Sequence, residues 1–485
     1  MYLGIDLGTS AVKAIIMDDA GLMVAQASSE LDLSRPQPLW SEQDPEHWWT
    51  ATNDAVAQLK ADHADDLSRV RGIGLSGQMH GATLLDSNDR ILRPAILWND
   101  GRSAAECEAI EAAEPNSRTT TGNIAMPGFT APKLLWVKNH EPDVFEKVAK
   151  VLLPKDYVRL RMTGDYASDL SDSAGTLWLD VAKREWSDAM LDTCGLSEEH
   201  MPKLFEGTEV TGTLRSSVAE KWGVSQVPVA GGAGDNAAGA AGVGVVAPGT
   251  GFLSLGTSGV LFVSNAGYLP NPDGAVHTFC HCIPDRWHQM AVILSAASCL
   301  TWVTKLVGAK DEGALIDRIE ADADPNHTPI FLPYLSGERT PHNDPLAKGA
   351  FFGMTHETSA AELGLAVLEG VAFAFADGQQ ALIDAGTDIG DITVIGGGSR
   401  SAYWSELIAD VLQRPLTLRE GGEVGPAYGA ARLGQIAAES SDPETICTAP
   451  PVNQTIEPDL SQATLYNDRL QQYRSLYAQT RSLTQ

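Results

Sequence analysis

Two short runs, nearly half the chain apart, constrain the fold more than any other feature. Leu7-Gly8-Thr9-Ser10 lies in the first strand-like stretch, and Leu255-Gly256-Thr257-Ser258 repeats it near the middle, with Ser10 and Ser258 separated by 248 positions in 485 residues. Around the first copy, Leu3, Ile5 and Leu7 alternate with Gly4 and Asp6, and a β-rich run from Ala11 to Met17 follows, so the passage reads as a hairpin. A turn at Asp18-Asp19-Ala20-Gly21 then allows a third strand from Leu22 to Ala27. The second copy has the same form, with a strand from Phe252 to Leu255, a Gly-Thr-Ser turn, and a strand back from Gly259 to Val263. Recurrence of one conformation at half-length predicts an internal duplication and two facing lobes, residues 1–246 and 247–485. A chain this long also exceeds what one hydrophobic core supports.

Between the copies, Gly231-Gly232-Ala233-Gly234-Asp235-Asn236 predicts a glycine turn leading into a helix of very small side chains, and Pro248-Gly249 is the candidate hinge. Helical periodicity is strongest for Leu363, Ala366, Val367, Gly370, Val371 and Ala374, and for Trp404, Leu407, Ile408, Val411 and Leu412. The second of these helices follows a strand, Val394-Ile395, and a triple-glycine turn, an order that aims backbone N–H groups at an anion. Strands and helices mixed throughout give an α/β class.

Two Gly-Thr-Ser turns in facing lobes offer N–H groups and hydroxyls to a phosphate chain lying between them. Gly8, Thr9, Ser10, Gly256 and Thr257 are therefore nucleotide-binding candidates, with Lys13 as a point charge within reach. Asp6 belongs to the first copy alone, which suits a carboxylate serving one Mg²⁺ per nucleotide. Asp235 has two readings, helix N-cap or general base toward a substrate hydroxyl. No Gly-Lys-Ser or Gly-Lys-Thr occurs, which excludes a P-loop. Gly72-Ile73-Gly74-Leu75-Ser76-Gly77 matches the dinucleotide spacing but is followed by strand-turn-strand, so that reading fails as well.

Acidic residues outnumber basic ones 63 to 34, a formal charge of -29, and such a field repels nucleic acid and anionic membranes. No basic leader or long apolar span is evident, which predicts a cytoplasmic protein. The six cysteines lack the spacing of a disulfide framework, and the cluster His277, Cys280, His281 and Cys282 reads as buried structure in preference to a metal site. Gln78-Met79-His80-Gly81 and Trp98-Asn99-Asp100-Gly101-Arg102 follow strand-like runs and offer polar groups of the kind that orient a polyol.

Taken with GIDLGTS from Gly4, PLWSEQDPEHWW from Pro38, GQMHGATLLD from Gly77, GFTAPKLLWVKNH from Gly128, AGDNAAGA from Ala233, LPYLSGERTPH from Leu332, GAFFGMTHETSAAELGLAVLEG from Gly349 and VIGGGSR from Val394, the chain resembles the FGGY family of carbohydrate kinases over essentially its whole length. The resemblance implies an actin-like, ribonuclease H-like two-lobed fold with nucleotide and sugar in the interlobe cleft. It implies transfer of the γ-phosphate of ATP to the C5 hydroxyl of D-xylulose, with another sugar or polyol as the alternative. By the same resemblance Asp235 is the proton acceptor, and Asp6 and Asp235 are the carboxylates near Mg²⁺. Met79, His80 and Asn236 touch the sugar, and Thr9, Thr257, Gly397 and Gly398 lie on the nucleotide side. A homodimer is implied only in this way. Ala11-Val12-Lys13 departs from the serines and arginine of glycerol kinases in the first loop. Filament-forming and chaperone ATPases share the fold, but the latter need a further domain for which few residues remain.

Overall fold

The computed structural model describes residues 1–420 and 425–483. Seven strands in the first half form one sheet, for which we name β1 (Tyr2–Leu7), β2 (Ala11–Met17), β3 (Met23–Glu30), β4 (Gly72–Gly77), β5 (Val210–Thr213) and β6 (Pro228–Ala230), in the order β5-β6-β4-β1-β2-β3, with Ala233–Gly234 added along β4. The second half repeats the plan with β7 (Gly251–Leu255), β8 (Gly259–Asn265), β9 (His277–Cys280), β10 (Trp287–Ile293), β11 (Ile392–Ile395), β12 (Leu416–Arg419) and β13 (Val452–Ile456), in the order β9-β10-β8-β7-β11-β12-β13.

The correspondence goes beyond strand count. β1 pairs antiparallel with β2 and parallel with β4, and β7 pairs antiparallel with β8 and parallel with β11. Each Gly-Thr-Ser turn joins the central strand of its sheet to the next, so both turns sit at equivalent corners. A duplicated sheet of this order is the expected two-lobed α/β architecture.

Two helices fill the space between the sheets, α1 (Asp235–Val243) and α2 (Pro426–Glu439). Close approach demands small residues. A Cβ on Gly429 would stand 1.7 Å from the Ala238 carbonyl oxygen, so α1 and α2 touch backbone to backbone. On its other side α2 meets the first sheet, where a Cβ on Gly4 would lie 2.0 Å from the Ala427 oxygen and one on Gly74 1.8 Å from the Ala430 oxygen. The Gly72–Gly77 pattern thus serves strand-to-helix packing within β4, in keeping with its failure as a dinucleotide loop.

The cores divide in the same way. Leu3, Ile5, Leu7, Trp48, Leu75 and Trp222 are buried on the first sheet, while the long apolar helix Ala360–Asp384 buries Leu365, Val367, Val371 and Phe375 against the second. That helix starts at a capping box in which Ser359 accepts from Ala361 N–H and Glu362 returns to the Ser359 amide at 2.7 Å. His277, Cys280, His281 and Cys282 are buried; His281 Nε2 is 3.1 Å from the Val245 carbonyl and Cys282 Sγ 3.4 Å from that of Ala237. Among the described residues no such cluster has the arrangement of a metal site, and no helix is long and apolar enough to cross a membrane.

Candidate active site

Asp235 is the first residue of α1, and Gly234 occupies the cap position, so the N-cap reading is corrected. Its carboxylate instead accepts hydrogen bonds from the backbone N–H of Asn236 at 2.8 Å and from its side-chain amide at 3.0 Å. Burial, and next the charge of Asp6, push its pKa up to about 7. Such a group can take up a proton near neutral pH.

Asp6 lies on β1, opposite Lys13 of β2 and beside Ser76 of β4. Burial raises its pKa to about 6 against the opposing influence of the neighbouring Ser76 hydroxyl and the Lys13 charge. Its Oδ1 is buried without a hydrogen-bond partner among the described residues. Two mutually repelling carboxylates, one with an orphaned oxygen, form a donor set that a hard divalent cation fits.

The first Gly-Thr-Ser turn is closed by Gly8 N–H to the Ala11 carbonyl at 3.0 Å, with Ser10 exposed at its tip. Thr9 is braced on several sides. Its Oγ1 donates to Gln78 Oε1 at 3.2 Å and accepts from Trp98 Nε1 at 3.0 Å, while Gln43 Nε2 donates to its carbonyl at 2.7 Å. Gln78 and Trp48 both donate to Gln43 Oε1 at 2.9 Å. Reading the sequence missed Gln43 as a support; a buried glutamine inside the Pro38 to Trp49 run was the available signal.

In the second turn Thr257 is exposed, and its carbonyl accepts from Ala296 N–H at 3.0 Å and Ser298 Oγ at 2.8 Å. Beside it runs the glycine turn after β11. Gly396 holds φ 91°, and a Cβ on Gly398 would collide with Leu255 at 2.4 Å, so both positions need glycine. Ser401 then caps the helix Ala402–Leu412 by accepting from Trp404 N–H at 3.1 Å.

A cavity of about 860 Å³ opens here, lined by Gly256, Thr257, Gly397, Gly398, Ile316 and Tyr403. A second of about 410 Å³, lined by Asp235, Asn236, Gly239, Ser254 and Pro426, shares Gly397 with the first. The six expected residues Asp235, Asn236, Gly256, Thr257, Gly397 and Gly398 therefore wall one pair of adjoining cavities. The first-lobe turn and Lys13 do not line them; their link to Asp235 runs through Asp6.

Met79 and His80 lie behind the Asp235 turn, also outside these walls. Met79 is buried, and a Cβ on Gly234 would come within 2.9 Å of its Cγ and Sδ. His80 takes the left-handed conformation at φ 69° and donates from Nδ1 to the Gly175 carbonyl at 2.6 Å, which leaves Nε2 as an acceptor. Burial, followed by the nearby Lys133 charge, lowers its pKa to about 3 and keeps the ring neutral.

Beneath the Asp235 turn sits a fully buried charge cluster that sequence reasoning did not find. Lys155 Nζ lies 2.7 Å from Asp156, 2.7 Å from Asp169 and 3.1 Å from Asp172. Arg159 donates to the Ala230 carbonyl at 2.5 Å and to that of Gly231, and Gly234 N–H donates to Ser171 Oγ at 3.2 Å. The turn is thus held by its own backbone groups. Burial alone would lower the Lys155 pKa, but the three carboxylates outweigh it and raise it.

The N-terminal domain of the FGGY family of carbohydrate kinases matches residues 1–242, and the C-terminal domain of the same family matches residues 251–438. The chain belongs to the FGGY family. It is 56% identical to a xylulose kinase of Escherichia coli K12 over 99% of each protein, and 53% identical to one of Klebsiella pneumoniae over 100% of each. In structure it is similar to a crystal structure described as a xyloylose kinase from Brucella ovis, with a TM-score of 0.96, 54% identity and 99% of both chains covered. An FGGY chain is a sugar kinase, so the adjoining cavities are where a nucleotide and a carbohydrate are to be sought.

Proposed function

We propose that this FGGY kinase transfers the γ-phosphate of ATP to the C5 hydroxyl of D-xylulose, giving D-xylulose 5-phosphate and ADP. The observation that carries this reading is the whole-length identity to proteins named xylulose kinases. Residues 1–246 form the sugar-binding lobe with the first phosphate turn, and residues 247–485 the lobe with the second turn and the nucleoside cavity. Asp235 accepts the C5 hydroxyl proton as that oxygen bonds to the γ-phosphorus and the bond to the β,γ-bridging oxygen breaks. Its raised pKa supports that role. Asn236 orients the carboxylate by its paired donors. Gly8, Thr9, Ser10, Gly256, Thr257, Gly397 and Gly398 present backbone groups to the phosphates, with Lys13 tempering the Asp6 charge. Asp6, with Asp235 as the second carboxylate, would hold Mg²⁺, which when bound neutralises phosphate charge. Met79 and His80 shape the sugar site, His80 as a neutral acceptor. Water must be kept from the γ-phosphate, and walls from both lobes serve that end. We place the reaction in the cytoplasm and the working assembly as a homodimer, which sedimentation tests.

ADP release with Mg·ATP is measured against D-xylulose, D-ribulose, L-ribulose, gluconate, glycerol and no sugar. A marked preference for D-xylulose is expected; preference for another sugar would move the substrate, and sugar-independent hydrolysis would overturn the reading.

A further inference from the structure

A row of contacts leads from Asp235 away from the phosphate cavities. Gly234 lies on Met79, and a Cβ on Gly175 would meet Met79 Cε at 2.9 Å and His80 Cε1 at 2.5 Å. The His80 ring stands edge-on to Phe129 at 4.9 Å, and Phe129 edge-on to His277 at 5.5 Å. At the far end, His277 Nε2 is 3.3 Å from Arg339 Nη1. Arg339 comes from the second half of the chain, and Met79, His80 and Phe129 from the first.

Hydrogen bonding settles which way this last contact runs. The Asn123 amide donates to the carbonyls of Thr121 at 2.8 Å and Thr278 at 3.0 Å, so its Oδ1 faces His277 Nδ1, at 3.0 Å. Nδ1 therefore carries the proton and Nε2 accepts from Arg339. Burial and the Arg339 charge keep His277 neutral. The segment bearing Arg339 is itself pinned, because Thr340 Oγ1 donates to the Ala275 carbonyl at 3.0 Å and accepts from Val292 N–H at 3.0 Å.

What remains is a surplus of donors. A guanidinium carries five N–H groups, and among the described residues its one side-chain hydrogen bond goes to His277. The adjacent Glu338 spends Oε1 on the backbone N–H groups of Leu294 at 2.9 Å and Arg339 at 2.7 Å. Arg339 is also partly accessible, although His277 and Thr340 beside it are buried. A pinned, partly accessible cation with open donors, beside an imidazole that its own charge helps to keep neutral, is equipped to hold an acceptor oxygen.

We propose that Arg339 is a sugar-recognition residue supplied by the second lobe, donating to the C1 hydroxyl oxygen of the ketose, the terminal oxygen farthest along this row from the C5 hydroxyl at Asp235. The inference rests on the ketose-kinase reading above. It makes Arg339 a specificity residue, demanding an oxygen at C1, and it gives the second lobe a direct hold on the sugar. The competing role is a packing strut for His277, which would disturb all substrates alike.

The test compares kcat/KM for D-xylulose and for 1-deoxy-D-xylulose, which lacks the C1 oxygen, in the wild type and in Arg339→Ala. Removal of a charged hydrogen bond should lower kcat/KM on D-xylulose by roughly 10- to 100-fold, chiefly through KM, and leave 1-deoxy-D-xylulose within about 3-fold, collapsing the wild-type preference. KM for ATP should not change. Equal losses on both sugars, or no loss, would overturn the inference. Should Arg339→Ala not fold, Arg339→Lys and Arg339→Gln are put through the same comparison and the same criteria decide. A wild type that ignores D-xylulose would defeat the ketose-kinase reading instead, whereas an active wild type with an unchanged ratio would defeat only the role of Arg339.

Discussion

Asp6 and Asp235 show how placement sets the chemistry of single residues. Each is an ordinary carboxylate raised by burial, and the charge of Asp6 raises Asp235 further. A general base works only when ionised, so turnover should fall as pH drops through about 7. Asp6→Asn removes the neighbouring charge and should move the acid limb of the kcat profile to lower pH, whatever it costs in rate; an unmoved limb would remove Asp235 from the role. Asp235→Ala should lower kcat by about 10²-fold or more, consistent with loss of proton transfer, at an unchanged circular dichroism spectrum. Stability runs the opposite way. Both groups bind protons more tightly in the folded chain than in the unfolded one, so the stability they contribute is full below about pH 4. It is lost as pH rises through about 6 for Asp6 and about 7 for Asp235. Asp235→Asn is therefore expected to raise the midpoint of thermal unfolding at pH 8, which calorimetry checks. Asp235 was legible because a glycine turn preceded it; the reason it is basic was not, because Asp6 is 229 positions away and reaches it only through the fold.

At the level of elements, the contact between α1 and α2 depends on hydrogen atoms where other residues carry methyl groups. Gly429→Ala should cost about 1–3 kcal/mol or more, since its Cβ would meet the backbone of Ala238, which cannot give way as a side-chain tip does. Gly239→Ala on α1 is the control. Nothing stands within 4 Å of a Cβ there, so the change should be neutral or stabilise by about 0.5–1 kcal/mol, the usual helix preference for alanine. Urea unfolding of the two variants gives the comparison. Because Gly239 also lines the cavity beside Asp235, its alanine variant should separate stability from nucleotide affinity, with the KM for ATP rising in a well-folded protein. The run of small residues after Asp235 was readable as a helix, but not its partner, since α2 comes almost two hundred residues later. The buried cluster around Lys155 was invisible for a related reason: Asp156, Asp169 and Asp172 look like surface carboxylates until the chain folds them onto one ammonium group.

The whole molecule is two similar sheets with a shared helical layer, and its proposed site takes walls from both halves: Asp235 and Asn236 from one, Ser254, Gly397 and Pro426 from the other. Ligands that touch both should draw the halves together. D-xylulose with a non-hydrolysable ATP analogue is expected to lower the radius of gyration in X-ray scattering more than either ligand alone; an unchanged value for the ternary sample would mean that the cleft is rigid. The sequence alone determined the duplication, the two hairpins with their Gly-Thr-Ser turns, the triple-glycine turn and the position of Asp235 at a helix start. All of these are local patterns of strand alternation, turn chemistry and helical period, and such patterns are written in neighbouring residues. Only the tertiary structure decided that Gly4 and Gly74 exist for a helix from the opposite end of the chain, that Gln43 holds Thr9, and that Arg339 stands at the end of a row begun by Asp235. Those depend on which surfaces meet, and close packing and buried charge are properties of pairs that no single stretch of sequence contains.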